Sequence, residues 1–264
     1  MSPILLMITC LFGSMLEAHE EKKVALLFLT RSNLNHTELW KEWIDPSKYT
    51  VYNHAKDLVT DPWLAQFRIQ ETLPTAWGTS VLAQQALLRV ALQDRRNVKF
   101  VLLSESCVPV KSAQYVYKVL TQDNRSYMQF GNIWWEGCPW RTLSEFPKKH
   151  QKGNWQWIIL NRRHAQLMAG DHHWAKLAHN HGIDNESYPS TFLSMMGVLD
   201  EVCNECKTYV DWRWPRDSHA SPYLFRAKDV DNVKEISKSW HHVFFARKFD
   251  PEFPDDVIRA LWKQ

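Results

Sequence analysis

The sequence predicts an α/β fold, a mostly parallel central sheet with helices on its faces. Three observations support this. Residues 24–30 (VALLFLT) and 100–104 (FVLLS) are unbroken apolar runs, as expected for strands buried on both faces of a parallel sheet. Segments with apolar residues at helical spacing alternate with such runs, the order of a doubly wound sheet. The 264 residues are 45% hydrophobic and 23% charged, which gives enough apolar mass for a buried core.

Taken in order, a strand over 24–30 leads through a polar turn at Arg31, Ser32 and Asn33 to a helix over 37–43 and a short strand over 49–54. Residues 80–92 have helical spacing, with Ser80 as N-cap. The strand at 100–104 is ended by the polar segment 105–109, and a helix follows over 112–120. The second half is less regular: strands at 127–130 and 155–160, a helix over 163–169, and a helix over 188–198 with Glu186 just ahead. Short strands at 209–212 and 243–246 close the pattern. No Gly/Ser/Pro-rich stretch or long charge block divides the chain. The reading is therefore one domain over 22–252 with a C-terminal tail over 253–264. In doubly wound sheets ligands gather beyond the carboxyl ends of the strands, which here carry Thr30, Arg31, His54 and Glu105.

Residues 3–15 are uncharged and apolar, too short to span a bilayer comfortably. Segment 1–18 reads as a signal peptide or a short membrane anchor, with Ala18 compatible with cleavage, although no Lys or Arg precedes the run. The expectation is an exported or membrane-associated chain, in the Golgi lumen of a eukaryote or the envelope or exterior of a bacterium. Past that segment the cysteines are Cys107, Cys138, Cys203 and Cys206. A single C-x-x-C lacks the further ligands of a structural zinc site, which leaves a Cys203–Cys206 bridge or two incidental thiols. Asn35, Asn124 and Asn185 begin N-x-S/T sequons, meaningful only in a eukaryotic secretory pathway.

Several chemistries lose support. With eight glycines there is no G-x-G-x-x-G and no P-loop, and there is no G-x-S-x-G elbow. A net charge of +3 gives no reason to expect a nucleic acid partner. Asp171, His172, His173, His179 and His181 offer carboxylate and imidazoles, yet their spacing matches no metallohydrolase pattern. The one literal D-x-D, at Asp229 and Asp231, lies in a polar segment and reads as a solvated turn.

Other features point toward group transfer. Fourteen tryptophans are an unusual share; most belong to a core, but sugar faces also pack on aromatic rings. Glu186 sits immediately before a predicted helix, where amide dipoles keep a carboxylate ionised. It is either a general base for an attacking hydroxyl or an ordinary helix-entry acid. Arg247 and Lys248 lie between aromatics in 244–249 (FFARKF), an apolar frame that would let them stabilise a developing diphosphate charge.

Taken together, these segments resemble the core-2/I-branching glycosyltransferase family, with its plant and peptide xylosyltransferase relatives, over nearly all of 22–252. The residues concerned are 24–31, 49–54, the W-G-T-S turn at 77–80, 100–109, 153–157 (GNWQW) with Asn161 and Arg162, 209–212 (YVDW), and 244–249. The resemblance implies a GT-A-type fold with a Rossmann-like sheet, and inverting, metal-independent transfer from a UDP-sugar to a glycan or glycoconjugate. The family's D-E-x-Y base corresponds to Glu186, with Asn185 in place of the preceding acid. Lys248 corresponds to the family's diphosphate lysine, with Arg247 or Arg226 as a second cation. Thr30, Arg31 and His54 fall on the nucleoside side, and Glu105 and Trp212 near the acceptor. Donors carrying N-acetylglucosamine, xylose or glucuronic acid all occur among the relatives. A catalytically inactive carbohydrate-binding relative of the same fold is the alternative.

Overall fold

A computed structural model describes residues 21–132, 145–180, 184–212 and 221–263. The predicted N-terminal signal or anchor, Cys138 and His181 lie outside them. Among the described residues no helix is long and apolar enough to cross a membrane.

The first half follows the predicted alternation. β1 (Lys23–Thr30) leads to α1 (Thr37–Trp43), β2 (Tyr49–Ala55) and a single turn of helix α2 (Pro62–Ala65). Then come α3 (Val81–Ala91), β3 (Asn97–Ser104), β4 (Val108–Pro109) and α4 (Ala113–Gln122). β5 (Ser126–Tyr127), β6 (Phe130–Gly131), β7 (Gly153–Asn154) and β8 (Ile159–Asn161) are short. They precede α5 (Arg162–Gly170), α6 (Trp174–Asn180) and α7 (Tyr188–Met195). The chain ends with β9 (Val202–Cys203), β10 (Thr208–Val210), α8 (Val230–Ser237), β11 (Phe245–Arg247) and α9 (Asp255–Leu261).

The central sheet has the order β2-β1-β3-β8-β5-β9. β1 runs parallel to both β2 and β3, and β5 parallel to β9, while β8 is antiparallel to both its neighbours. Val24, Ala25, Leu26 and Phe28 have no exposure because helices cover both faces of β1, which explains its unbroken apolar sequence. This is the mostly parallel, helix-flanked sheet that the sequence predicts. The run 155–160 is strand only from Ile159, since the residues before it leave the sheet to line a cleft.

A second sheet, β10-β11-β4, carries its own apolar cluster: Val108, Phe225, Val233, Ala246 and Phe249. α9 packs into this cluster. Phe253, Ile258 and Leu261 are at most 3% exposed, Arg259 grips Glu42 with two hydrogen bonds (2.6 and 2.8 Å), and Asp255 meets buried His36 at 2.6 Å. The segment expected as a tail is therefore part of the folded body.

Cys107, Cys203 and Cys206 are free thiols, which answers the question of a Cys203–Cys206 bridge in this structure. Cys206 donates to the Thr208 carbonyl at 3.1 Å, and burial pushes its thiol up to about 11.

Candidate functional site

The carboxyl ends of β1 and β2, the loop after β3, and the C-terminal end of β11 open onto one cleft of about 1070 Å³. Seven of the nine residues singled out from sequence line it: Thr30, Arg31, Glu105, Glu186, Trp212, Arg247 and Lys248. These come from segments far apart in the chain, which is what a built site requires.

Glu186 ends a 3-10 turn, Asp184–Glu186, that runs into α7, and its side chain is half-buried. The turn is held from three sides. Asp184, fully buried, accepts from the backbone N–H groups of Ser80 (2.8 Å) and Val81 (3.2 Å) through Oδ1 and meets His179 Nδ1 at 2.9 Å through Oδ2. Asn154 Nδ2 donates to the Asn185 carbonyl (3.0 Å), and its Oδ1 accepts from the Ser190 N–H (3.1 Å) and hydroxyl (2.9 Å). Tyr188 donates its hydroxyl to buried Asp171 (2.8 Å). These contacts orient Glu186 toward the cleft while its neighbours satisfy the backbone.

The predicted N-cap at Ser80 is occupied differently from expectation. Its side chain makes no cap bond; the Asp184 carboxylate caps α3 from 104 residues away, and Ser80 Oγ instead accepts from Gln84 (3.0 Å). The turn before it needs Gly78 at φ 76, where a side chain would be strained.

At the cation end, Lys248 Nζ donates to Ser221 Oγ at 2.8 Å. The Arg247 guanidinium lies 4.2 Å from the centre of the Trp157 ring, and among the described residues its Nε is buried without a hydrogen-bond partner. Burial pushes its pKa down, opposed by the fields of Cys107, Glu105 and Glu186, so two carboxylates of the cleft act on this cation. The predicted aromatic frame is corrected here. Phe244, Phe245 and Phe249 are core residues, and the ring that holds Arg247 is Trp157 from the GNWQW segment.

Two predicted residues do not line the cleft. His54 is fully buried, accepts from the Leu73 N–H (2.8 Å) through Nε2, and is held below its ordinary pKa by burial. It therefore ties the loop ahead of the W-G-T-S turn to β2. Arg226 lies at a helix entry, where its N–H donates to Asp229 (2.8 Å). That same Asp229, expected in a solvated turn, is 9% exposed and also accepts from Tyr223 (2.9 Å). Arg31 lines the cleft and is ion-paired through Nε to Asp57 (3.0 Å). Thr30 Oγ1 lies 3.0 Å from Asn53 Oδ1.

Two members of the predicted His and Asp cluster have structural contacts. Asp171 caps α6 through three backbone N–H groups, and His179 serves Asp184. Among the described residues no group of three or more His, Cys, Asp or Glu is placed to hold a metal.

Sequence reasoning did not single out Asn154, Asp184, Trp77, Trp155, Trp157 or Lys56. Trp77 (65% exposed) and Trp212 (39%) line the cleft, as does Trp155. Asn154, Trp155 and Trp157 stood inside the recognised GNWQW segment, but nothing in their spacing marked which of them would reach the Asn185 turn or Arg247.

The sequence pattern of the Core-2/I-Branching enzyme family matches residues 24–238, most of the chain. The chain is also similar to glycosyltransferase BC10 of Oryza sativa subsp. japonica, at 24% identity over 294 residues, spanning 86% of this chain and 73% of that protein. The chain belongs to the Core-2/I-Branching enzyme family and is a glycosyltransferase acting between a sugar donor and a glycan acceptor.

Proposed function

We propose that the protein transfers a sugar of the N-acetylglucosamine, xylose or glucuronic acid type, with inversion and without a metal ion. The donor is a UDP-sugar and the acceptor a glycan or glycoconjugate hydroxyl. The observation that carries this reading is that Glu186 and the Arg247–Lys248 pair, 61 positions apart at their nearest, line one cleft together with the strand ends at Thr30 and Arg31.

Glu186 takes the proton of the acceptor hydroxyl as that oxygen bonds to the anomeric carbon. The bond from this carbon to the diphosphate oxygen breaks on the opposite face, and its electron pair leaves with UDP. Lys248, with Arg247 beside it, meets the negative charge that develops there. Arg226 is the second cation only if binding brings it to the cleft. Thr30 and Arg31 form the nucleoside end, and Glu105 with Trp212 the acceptor end; His54 acts through the loop it holds.

Transfer assayed with and without EDTA tests this reading. Undiminished turnover in EDTA is the expected result, and strict dependence on Mn²⁺ would contradict it.

A further inference from the structure

Of the residues that line the cleft, Asn185 combines deep burial with an unmet bonding need. It is 5% exposed, and among the described residues its Oδ1 is buried with no hydrogen-bond partner. The backbone cannot turn to relieve it, because Asn154 Nδ2 holds the Asn185 carbonyl at 3.0 Å and Asn154 Oδ1 holds the start of α7. Turning the amide over would leave Nδ2 stranded in the same place. A buried polar atom without a partner is unfavourable, and because Asn185 lines the cleft, a hydroxyl that enters there can supply the missing bond once the side chain turns to meet it. Asn185 is the residue before Glu186 on the same 3-10 turn, so whatever reaches it lies within a sugar's breadth of the hydroxyl that Glu186 activates.

We propose that the Asn185 carboxamide is a specificity-determining contact for a second hydroxyl of the acceptor sugar, one that is not itself glycosylated. A hydroxyl donates and accepts, so it satisfies either orientation of the amide. The proposal rests on Glu186 being the base. It assigns the two residues different tasks: Glu186 reads the reacting hydroxyl and Asn185 reads a neighbour. A site built to bond a hydroxyl discriminates against an analogue that lacks it, because the buried partner is then left bare.

The test screens UDP-N-acetylglucosamine, UDP-xylose and UDP-glucuronic acid against methyl glycosides of galactose, glucose and xylose. The fastest pair is then repeated with each monodeoxy form of that glycoside. For the wild type, one deoxy form should lose about tenfold or more in kcat/KM. Asn185→Ala should lower kcat/KM for the parent acceptor to a similar degree and treat parent and deoxy form alike, with UDP affinity unchanged. Asn185→Asp keeps an acceptor atom in place and should restore the discrimination. It also sets a like charge beside Glu186, so the acid limb of the kcat/KM profile should move to higher pH. Equal discrimination by wild type and Asn185→Ala, or none by the wild type, overturns the proposal while leaving the transfer reading intact. Absence of transfer by the wild type from every donor would instead overturn the reading beneath it.

Discussion

Asp184 connects the turn that bears Glu186, the proposed base, to the start of α3, and removing its carboxylate tests whether that link holds the site together. In Asp184→Ala the backbone N–H groups of Ser80 and Val81, both within buried residues, lose their acceptor, and His179 loses its partner. Each stranded buried donor costs about 1–3 kcal/mol, so the substitution should destabilise the fold by about 2–5 kcal/mol. For a chain of this size that is a fall in Tm of roughly 5–15 °C. The pair also has a pH signature. The hydrogen bond to Asp184 raises the His179 pKa from its usual 6.5, burial opposing and the carboxylate charge assisting. A raised folded pKa gives stability that is fully present below the unfolded value and fades as pH rises through the folded one. Thermal unfolding followed by circular dichroism at pH 5.5 and pH 8.5 reads both effects. The wild type should hold a stability increment at pH 5.5 from this pair that Asp184→Ala lacks. A variant that melts within a degree of wild type at both pH values would refute the reasoning.

Two further substitutions probe other parts of the account. Lys248→Ala should weaken UDP binding about tenfold or more in calorimetry, since it removes the cation held at Ser221, whereas unchanged affinity would move the diphosphate elsewhere. Ile258→Ala should cost about 2–5 kcal/mol in denaturant unfolding, because Ile258 is fully buried in the second cluster; a neutral result would return α9 to the status of a tail.

The parts of the fold most legible from sequence were those whose local composition reports burial. β1 and β3 are covered on both faces, so their residues had to be apolar in unbroken series. α6 has apolar Trp174, Ala175, Leu177 and Ala178 at helical spacing between the two histidine groups, which made a helical stretch legible there, and only Ala175 and Ala178 are buried. α9 also carries Val257, Ile258 and Leu261 at helical spacing, but a helix of seven residues after Pro254 gives too short a pattern to stand out from a tail. In the site, Thr30, Arg31 and Glu105 were legible because ligands gather at carboxyl ends of parallel strands. Glu186 and Lys248 needed the order of several motifs, since a helix-entry acid and a surface lysine look the same locally. Asp184 and Asn154 escaped because their roles consist of bonds across 104, 31 and 36 positions, which no local pattern encodes. His54 misled for the converse reason: a strand-end histidine suggested ligand contact, and the structure turns it inward to hold Leu73.

The central claim is that Glu186, held by Asp184 and Asn154, is the base of sugar transfer, and Glu186→Gln tests it most directly. The side chain keeps its size and loses the ability to take a proton. Measured side by side, kcat for transfer should fall by about a hundredfold or more while UDP affinity and Tm stay at wild-type values. Turnover near the wild-type rate in Glu186→Gln would contradict the account.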